Sequence, residues 1–400
     1  MKKAIGISII ALSVLSGASI EDALSAGKVS GELRAAYIGQ NNAVDTDTYG
    51  TSLGGQLKYE TGSWNDLKVG AALYISQKIA FATGDVSEGK ANNDLFANNA
   101  GSYAYLGEAY IDYSANDFSV RIGRQQIDTP LADTDDVRMH PNTFEALMAT
   151  YTGFEKNTLI GGYVKRFAGY DSGNDISEFK RLDGVDSHGT ALFGVVNESV
   201  ENLAVQAWYY KIDNITNAIY ADGVYTAAID KTLQIEFSTQ FCYFSEEQNS
   251  NIEGNVYGIG AKTTLGLLSI GVAYNMTTNP NGKKVINGFG GGPYFTSMEE
   301  MTIDSMEDAR AYQLNAQIDM SEMGIEGLTL GAMYGNFKST PMNWNVKESD
   351  FIVAYQINDA LSAQMSYAMI NDNNKNTLNN GSSDYDGGYD RLFLRLSYNF

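Results

Sequence analysis

Apolar and polar residues alternate along most of this chain with a period of two, and the last ten residues show the pattern most plainly. Leu392, Leu394, Leu396, Tyr398 and Phe400 fall on one face, and Arg391, Phe393, Arg395, Ser397 and Asn399 on the other. Side chains on successive strand residues point to opposite faces, so this is a β-strand with one apolar and one mostly polar side. Read in the same way, eighteen segments follow: 29–38, 49–59, 66–76, 104–113, 118–125, 144–151, 158–167, 189–197, 202–212, 222–229, 232–244, 254–264, 267–276, 310–319, 327–337, 348–357, 360–370 and 389–400. Many are the length of a tilted strand that crosses a bilayer, about 9–11 residues.

A soluble β-sandwich also alternates, and the connections separate the two. Short polar turns (114–117, 230–231, 265–266, 358–359) are interleaved with long segments rich in Gly, Asn, Asp and Ser (77–103, 126–143, 168–188, 277–309, 371–388). A sandwich has no reason to sort its loops by parity. A transmembrane antiparallel barrel does, with short periplasmic turns at one rim and long external loops at the other. The expected fold is therefore all-β: a barrel of about 18 strands, an even number as closure of a bacterial barrel requires.

The N-terminus agrees. Lys2 and Lys3 precede an apolar run at 4–15 and the small residues Ser16, Gly17 and Ala18. This is the layout of a secretory signal peptide, too short to span a membrane as a helix. The expected division is a signal peptide at 1–18 and a single barrel domain at 19–400, with cleavage after Ala18 or, failing that, Ala26. No later run approaches about 18 apolar residues, so no transmembrane helix is expected. A lone cysteine, Cys242, excludes an internal disulfide and reads as a small buried or lipid-facing group.

The chain has 27 basic and 48 acidic residues; without Lys2 and Lys3 the bases number 25 and the net charge is −23. Nucleic acid is excluded as a partner by that sign. Twenty-six tyrosines and only five prolines suit long strands and interfacial aromatic girdles. Tyr398 and Phe400 place aromatics at the very end of the last strand. That ending resembles the assembly signal of outer-membrane barrels.

A barrel of this size encloses water unless something folds inward. The 126–143 segment is the expected pore loop. Two prolines, Pro130 and Pro141, stiffen it. It carries Asp128, Asp133, Asp135 and Asp136 beside Arg138 and His140, both signs of charge as a selectivity constriction requires. On the strands, Arg34, Lys58, Lys68, Arg121, Arg124, Arg391 and Arg395 fall on polar faces. A base facing lipid at mid-bilayer costs about 2–4 kcal/mol, so these are expected in the lumen or at the rim. The Asp133-Thr134-Asp135-Asp136 run offers the oxygen donors that Ca²⁺ takes, without the spacing of an EF-hand. The acidic outer loops are expected to share divalent cations with lipopolysaccharide, and a homotrimer is a further expectation.

The chain also resembles a known family. Arg121-Ile122-Gly123-Arg124-Gln125, then Thr129-Pro130, then Asp136-Val137-Arg138-Met139-His140-Pro141-Asn142-Thr143-Phe144-Glu145 is similar to the OprD-type porins. There a G-R strand end leads into a pore loop and a D-x-R-x-x-P-x-T-F-E segment. Gly27-Lys28-Val29-Ser30-Gly31-Glu32-Leu33-Arg34 further resembles porins of the Campylobacter-like bacteria, related to their major outer membrane protein. The resemblance implies an 18-stranded channel of the Gram-negative outer membrane in which a pore loop and a ladder of lumen bases guide small solutes, often carboxylates. It makes Arg121, Arg124 and Arg138 ladder or constriction residues. The acidity of this chain departs from that pattern and favours a cation-leaning pore equally. An enzyme is not expected. The only histidines are His140 and His188, and neither G-x-S-x-G nor H-E-x-x-H occurs. The alternative to a porin is a structural or adhesive barrel whose long loops do the work. Channel conductance discriminates the two.

Overall fold

A computed structural model describes residues 19–173, 175–182, 187–230, 232–374 and 387–400; the expected signal peptide lies outside them. A short helix, α1 (Ile20–Ser25), is capped by Ser19 and Asp22 and leads into the sheet. The strands are β1 (Lys28–Asn42), β2 (Thr48–Glu60), β3 (Leu67–Lys78), β4 (Tyr103–Ala115), β5 (Phe118–Gln125) and β6 (Thr143–Phe154). Next come β7 (Asn157–Ala168), β8 (Thr190–Val200), β9 (Leu203–Ile212), β10 (Thr216–Ala228), β11 (Leu233–Glu246) and β12 (Gly254–Leu265). The last six are β13 (Leu268–Thr278), β14 (Ala309–Asp319), β15 (Leu328–Ser339), β16 (Trp344–Gln356), β17 (Leu361–Asp372) and β18 (Tyr389–Asn399).

Each strand pairs antiparallel with its neighbour in the chain, and β18 pairs with β1, so one 18-stranded sheet closes on itself. Closure removes every sheet edge, which a bilayer demands because it offers no partner to a free N–H or C=O. At the seam Leu33 faces Tyr398 and Arg34 faces Ser397. The Phe400 N–H donates to the Gly31 carbonyl and the Gly31 N–H to the Phe400 carbonyl, both at 3.0 Å. The Phe400 ring sits where a Gly31 side chain would begin, so glycine permits that close approach.

The alternation resolves into an outside and an inside. On β1, Glu32, Arg34, Ala36 and Ile38 are buried, while Leu33 between them is 59% exposed. On β18, Leu394, Leu396 and Tyr398 are outward and exposed, as is Phe400 just beyond it. Tyrosines ring the outer wall near both rims, for example Tyr163, Tyr209 and Tyr312 at one and Tyr59, Tyr113 and Tyr225 at the other.

The turns at the rim that carries the chain termini are short. The long connections all lie at the opposite rim, together with four brief ones at 43–47, 213–215, 247–253 and 340–343. Sequence and structure part most at β10, which starts at Thr216 rather than 222. Its inward residues there, Ala218 and Tyr220, are apolar and buried. A pattern of apolar-out and polar-in cannot identify a strand whose inner side is also apolar. It is apolar because the loops fill the barrel at that height. Leu131, Phe167, Tyr210, Phe244, Phe289, Tyr294, Ile303 and Val346 belong to one buried cluster inside the lumen, and Cys242 is part of it. A second cluster joins Ile38, Leu95, Phe96, Met139 and Phe393. The core of the molecule thus sits inside the tube, made by the described residues of segments 79–102, 126–142, 169–182 (residue 174 aside) and 279–308 folded inward.

Candidate pore constriction

The 126–142 loop leaves β5 and reaches the β1–β18 wall. Glu32 and Arg34, two residues apart on one strand, share the inward face, and their side chains meet at 2.6 Å. The other edge of the Arg34 guanidinium grips Asp136 with bonds of 2.6 and 2.7 Å, a two-pronged charge-assisted pair. Arg34 also donates to the Arg138 carbonyl at 2.8 Å, and Arg395 on the adjoining strand donates to the Asp136 carbonyl at 2.7 Å. Arg34 holds the Asp136 carboxyl below the usual carboxylate range against the opposing effect of burial.

Arg138 lies deeper. Its guanidinium stacks 4.3 Å from the centre of the Tyr170 ring and pairs with Glu300 at 3.5 Å. Glu300, on the 279–308 segment, also pairs with Arg391 at 2.8 Å, and Arg391 pairs with Asp94 at 2.9 Å. The main-chain N–H groups of Glu300 and Met301 donate to the Glu348 carboxylate of β16 at 2.9 and 2.8 Å, which anchors that segment to the wall two strands from β18. Four inward segments and three strands therefore meet in one ionic network.

The remaining sequence-predicted residues take distinct places. His140 is fully buried among the rings of Tyr74, Tyr103 and Tyr105, and burial pushes its imidazole down to about 4, so it is neutral at physiological pH. Asp128 is exposed and accepts weakly from the Thr134 N–H. Asp133 and Asp135 approach Asp171, whereas Asp136 turns the other way to Arg34. The acidic run is thus split between two sides, and among the described residues no group of three acids, histidines or cysteines is arranged to hold a metal. Asp133, Asp135 and Asp136 therefore do not come together as the Ca²⁺ site that their run suggested.

The strand bases line the β1–β7 part of the wall and β18, each with a carboxylate. Lys58 pairs with Glu108 at 2.8 Å, Arg121 with Asp112 at 2.8 Å, and Arg124 with Glu145 at 3.1 Å. Lys68 reaches Glu60 at 3.5 Å. Arg166 joins Glu145 from the other side at 2.6 Å. Aromatic faces support the cations: Arg121 lies 4.3 Å from the Tyr110 ring centre and Arg124 4.2 Å from that of Phe179. The wall from β10 to β17 offers mostly amides and acids, among them Gln240, Asn275, Gln313, Glu348 and Asp350, with Lys262 on the lumen face of β12 as a base.

A cavity of about 380 Å³ opens on the terminal side of Asp136, lined by Glu32, Arg34, Asp136, Gln364 and Arg395. A larger one of about 1070 Å³ lies at the loop rim among Asp171, Lys180, Arg181, Lys284, Gly290 and Asp304. Asp135 stands beside this outer cavity through Asp171. Burial, helped by the charges of Asp171 and Asp133, lifts its carboxyl to about 7. A carboxyl raised in the folded chain is protonated there at a pH where the unfolded chain is ionised. It gains its negative charge only as pH climbs through 7. Between pH 5 and 8 the passage therefore becomes more negative. A charge about 8 Å away in a water-like medium is worth about 0.5 kcal/mol, in favour of a cation and against an anion, so the cation-to-anion permeability ratio is expected to rise about sixfold. Reversal potentials measured across that range check it, and Asp135→Asn is expected to abolish the change.

Sequence reasoning missed the acids that neutralise the ladder and the second inward segment. Both left signals. Glu32 shares the face of Arg34. The 279–308 segment carries Val285, Ile286, Phe289, Tyr294, Met301, Ile303 and Met306, too many apolar groups for a loop in water.

The model of the family described as outer membrane porin, OprD family, matches residues 26–400. Among solved structures, OccK8 (OprE) of Pseudomonas aeruginosa superposes with a TM-score of 0.77 at 18% identity, covering 94% of this chain and 98% of its own. OccK9 (OpdG) of the same organism gives 0.78 at 19%, covering 95% and 100%. OpdK of P. aeruginosa, solved with vanillate, gives 0.76 at 16%, covering 94% and 99%. No curated protein matches the chain.

Proposed function

This chain belongs to the OprD family of outer membrane porins, a channel for small solutes in the outer membrane, and from that premise we propose that it is a cation-leaning pore with its eyelet at Asp136. One observation carries the reading: each of the eight bases Arg34, Lys58, Lys68, Arg121, Arg124, Arg138, Arg391 and Arg395 has a carboxylate within ion-pair distance. A base so paired offers a passing anion a dipole rather than a free positive charge. Asp128 and Asp133, and Asp135 once pH rises above about 7, add negative charge with no base within ion-pair distance among the described residues. Small cations and zwitterions gain from that balance, and free carboxylates do not. The chemistry of the site is positioning and charge sorting, with no bond made or broken. Residues 1–18 serve as the export signal in this reading, and Ser19, which caps α1, becomes the mature N-terminus.

The test is the reversal potential of single channels in a potassium chloride gradient. The wild-type channel is expected to prefer potassium over chloride. Asp136→Ala frees Arg34 and Arg395 toward the lumen and is expected to shift the preference toward chloride, with folding checked by heat-modifiable gel mobility. An anion-selective wild type, or a folded variant with an unchanged reversal potential, overturns the proposal.

A further inference from the structure

The charges on the outer wall follow a rule of their own. Among the described strand residues most acids share the lumen face, and Asp390, held by the outward Tyr367 hydroxyl at 3.0 Å, stands on the outer one. Five bases point outward: Lys165, Lys211, Arg310, Lys338 and Lys347. Arg310 is exposed between the buried Ala309 and Ala311, Lys338 between Phe337 and Ser339, and Lys211 between Tyr210 and Ile212. Lys347 is half-exposed between the buried Val346 and Glu348, and Lys165 follows the buried Val164. All five lie near the loop-rim ends of their strands. A chain with a net charge of −21 thus presents a positive collar to whatever surrounds it at that height.

Three of the five form one patch on β14, β15 and β16. Arg310 stands directly opposite Lys338, and Lys347 opposite Asn336. Like charges facing each other across an antiparallel pair are destabilising unless a counter-charge sits between them. None of the three forms an ion pair with a described residue, although the loops hold acids in excess. Below the bases, toward mid-bilayer, come Tyr312 and Tyr334 with ring centres 6.2 Å apart. Below those come the exposed Leu314, Leu330 and Phe351. Cations, aromatics and aliphatic surface follow one another in the order in which a lipid presents its phosphate, its interfacial region and its acyl chains.

We infer that Arg310, Lys338 and Lys347 bind the phosphate of a phosphorylated glycolipid of the outer leaflet, whose acyl chains lie along Leu314 and Phe351. The contact is direct from base to phosphate. It differs from the cation-bridged contact with loop acids that the sequence suggested.

Native mass spectrometry of the whole barrel, released into mild detergent and titrated with lipopolysaccharide, tests this. The wild type is expected to retain lipopolysaccharide in the presence of a divalent-cation chelator, and to lose it when the lipid is enzymatically dephosphorylated. The triple variant R310A/K338A/K347A is expected to weaken binding about a hundredfold, the order for three bases near an anionic surface. Its single-channel conductance should match wild type, which shows that the barrel is folded. R310Q/K338Q/K347Q, which keeps side-chain bulk, should weaken binding to the same extent. Inorganic phosphate alone should neither bind nor compete at millimolar concentration, because the acyl chains are part of the ligand. Retention that vanishes with the chelator, indifference to dephosphorylation, or undiminished binding by the folded variants overturns the inference.

Discussion

Glu300→Ala is expected to raise single-channel conductance several-fold and to move ion preference toward anions. The carboxylate of Glu300 is the common partner of Arg391 at 2.8 Å and Arg138 at 3.5 Å, and it accepts from the Tyr389 hydroxyl at 3.3 Å. Both arginine side chains are nearly buried, 11% and 6% exposed. Deleting one acid that serves two buried cations leaves charge without compensation, which costs about 3–5 kcal/mol. The barrel need not absorb that cost. Its ladder is closed and Glu300 lies on none of its strands. The loops can absorb it, by letting Arg138 swing into water and parting segment 126–142 from segment 279–308. Glu300→Gln keeps the shape and one acceptor oxygen, so it should show the change in selectivity with a smaller gain in conductance. Heat-modifiable mobility should remain that of a closed barrel in both variants. An unchanged conductance in Glu300→Ala would show that this ionic network does not set the bore.

How far such behaviour can be foreseen from sequence depends on which solvent each face meets. The outer faces meet lipid along their whole length, so strands such as β3 and β18 announce themselves through Val69, Leu73, Leu394 and Leu396. The inner faces meet water only below the constriction. Above it they meet folded-in loops, and there alternation fades, which is why the start of β10 at Thr216 was hidden and the start of β16 at Trp344 was placed late, at 348. The pore loop was legible because prolines and opposed charges are concentrated in it. Its partners were not legible. Arg34 and Asp136 are 102 residues apart, and no local pattern ties them together. Charge counting over the whole chain gave the acid excess but not its location. Only the closed register, with β18 beside β1, brings Arg34 and Arg395 under the same aspartate. The outward bases at the loop rim were equally invisible, since their meaning depends on which rim and which face they occupy.

Phe289→Ala should separate the apolar from the ionic hold on the same loops. Phe289 is 2% exposed, its ring meets that of Phe167 edge-on with centres 5.4 Å apart, and its N–H donates to the Leu131 carbonyl at 2.8 Å. Gly288 before it, at φ +86°, lets the two loops approach so closely that a side chain there would overlap the Leu131 carbonyl. Removing a buried phenyl group costs about 3–5 kcal/mol through lost transfer energy and the cavity left behind. The main-chain bond to Leu131 survives the substitution but loses the packing that shields it from water. The loops are then expected to fluctuate, read as noisy openings and a higher mean conductance in bilayer recordings. Reversal potential should stay at the wild-type value, because no charge has moved. Glu300→Ala changes both readings, and Phe289→Ala only one. If Phe289→Ala left the recordings quiet, the apolar cluster inside the tube would be filling rather than fastening, and the hold on the eyelet would rest on Arg34, Arg138 and Arg391 alone.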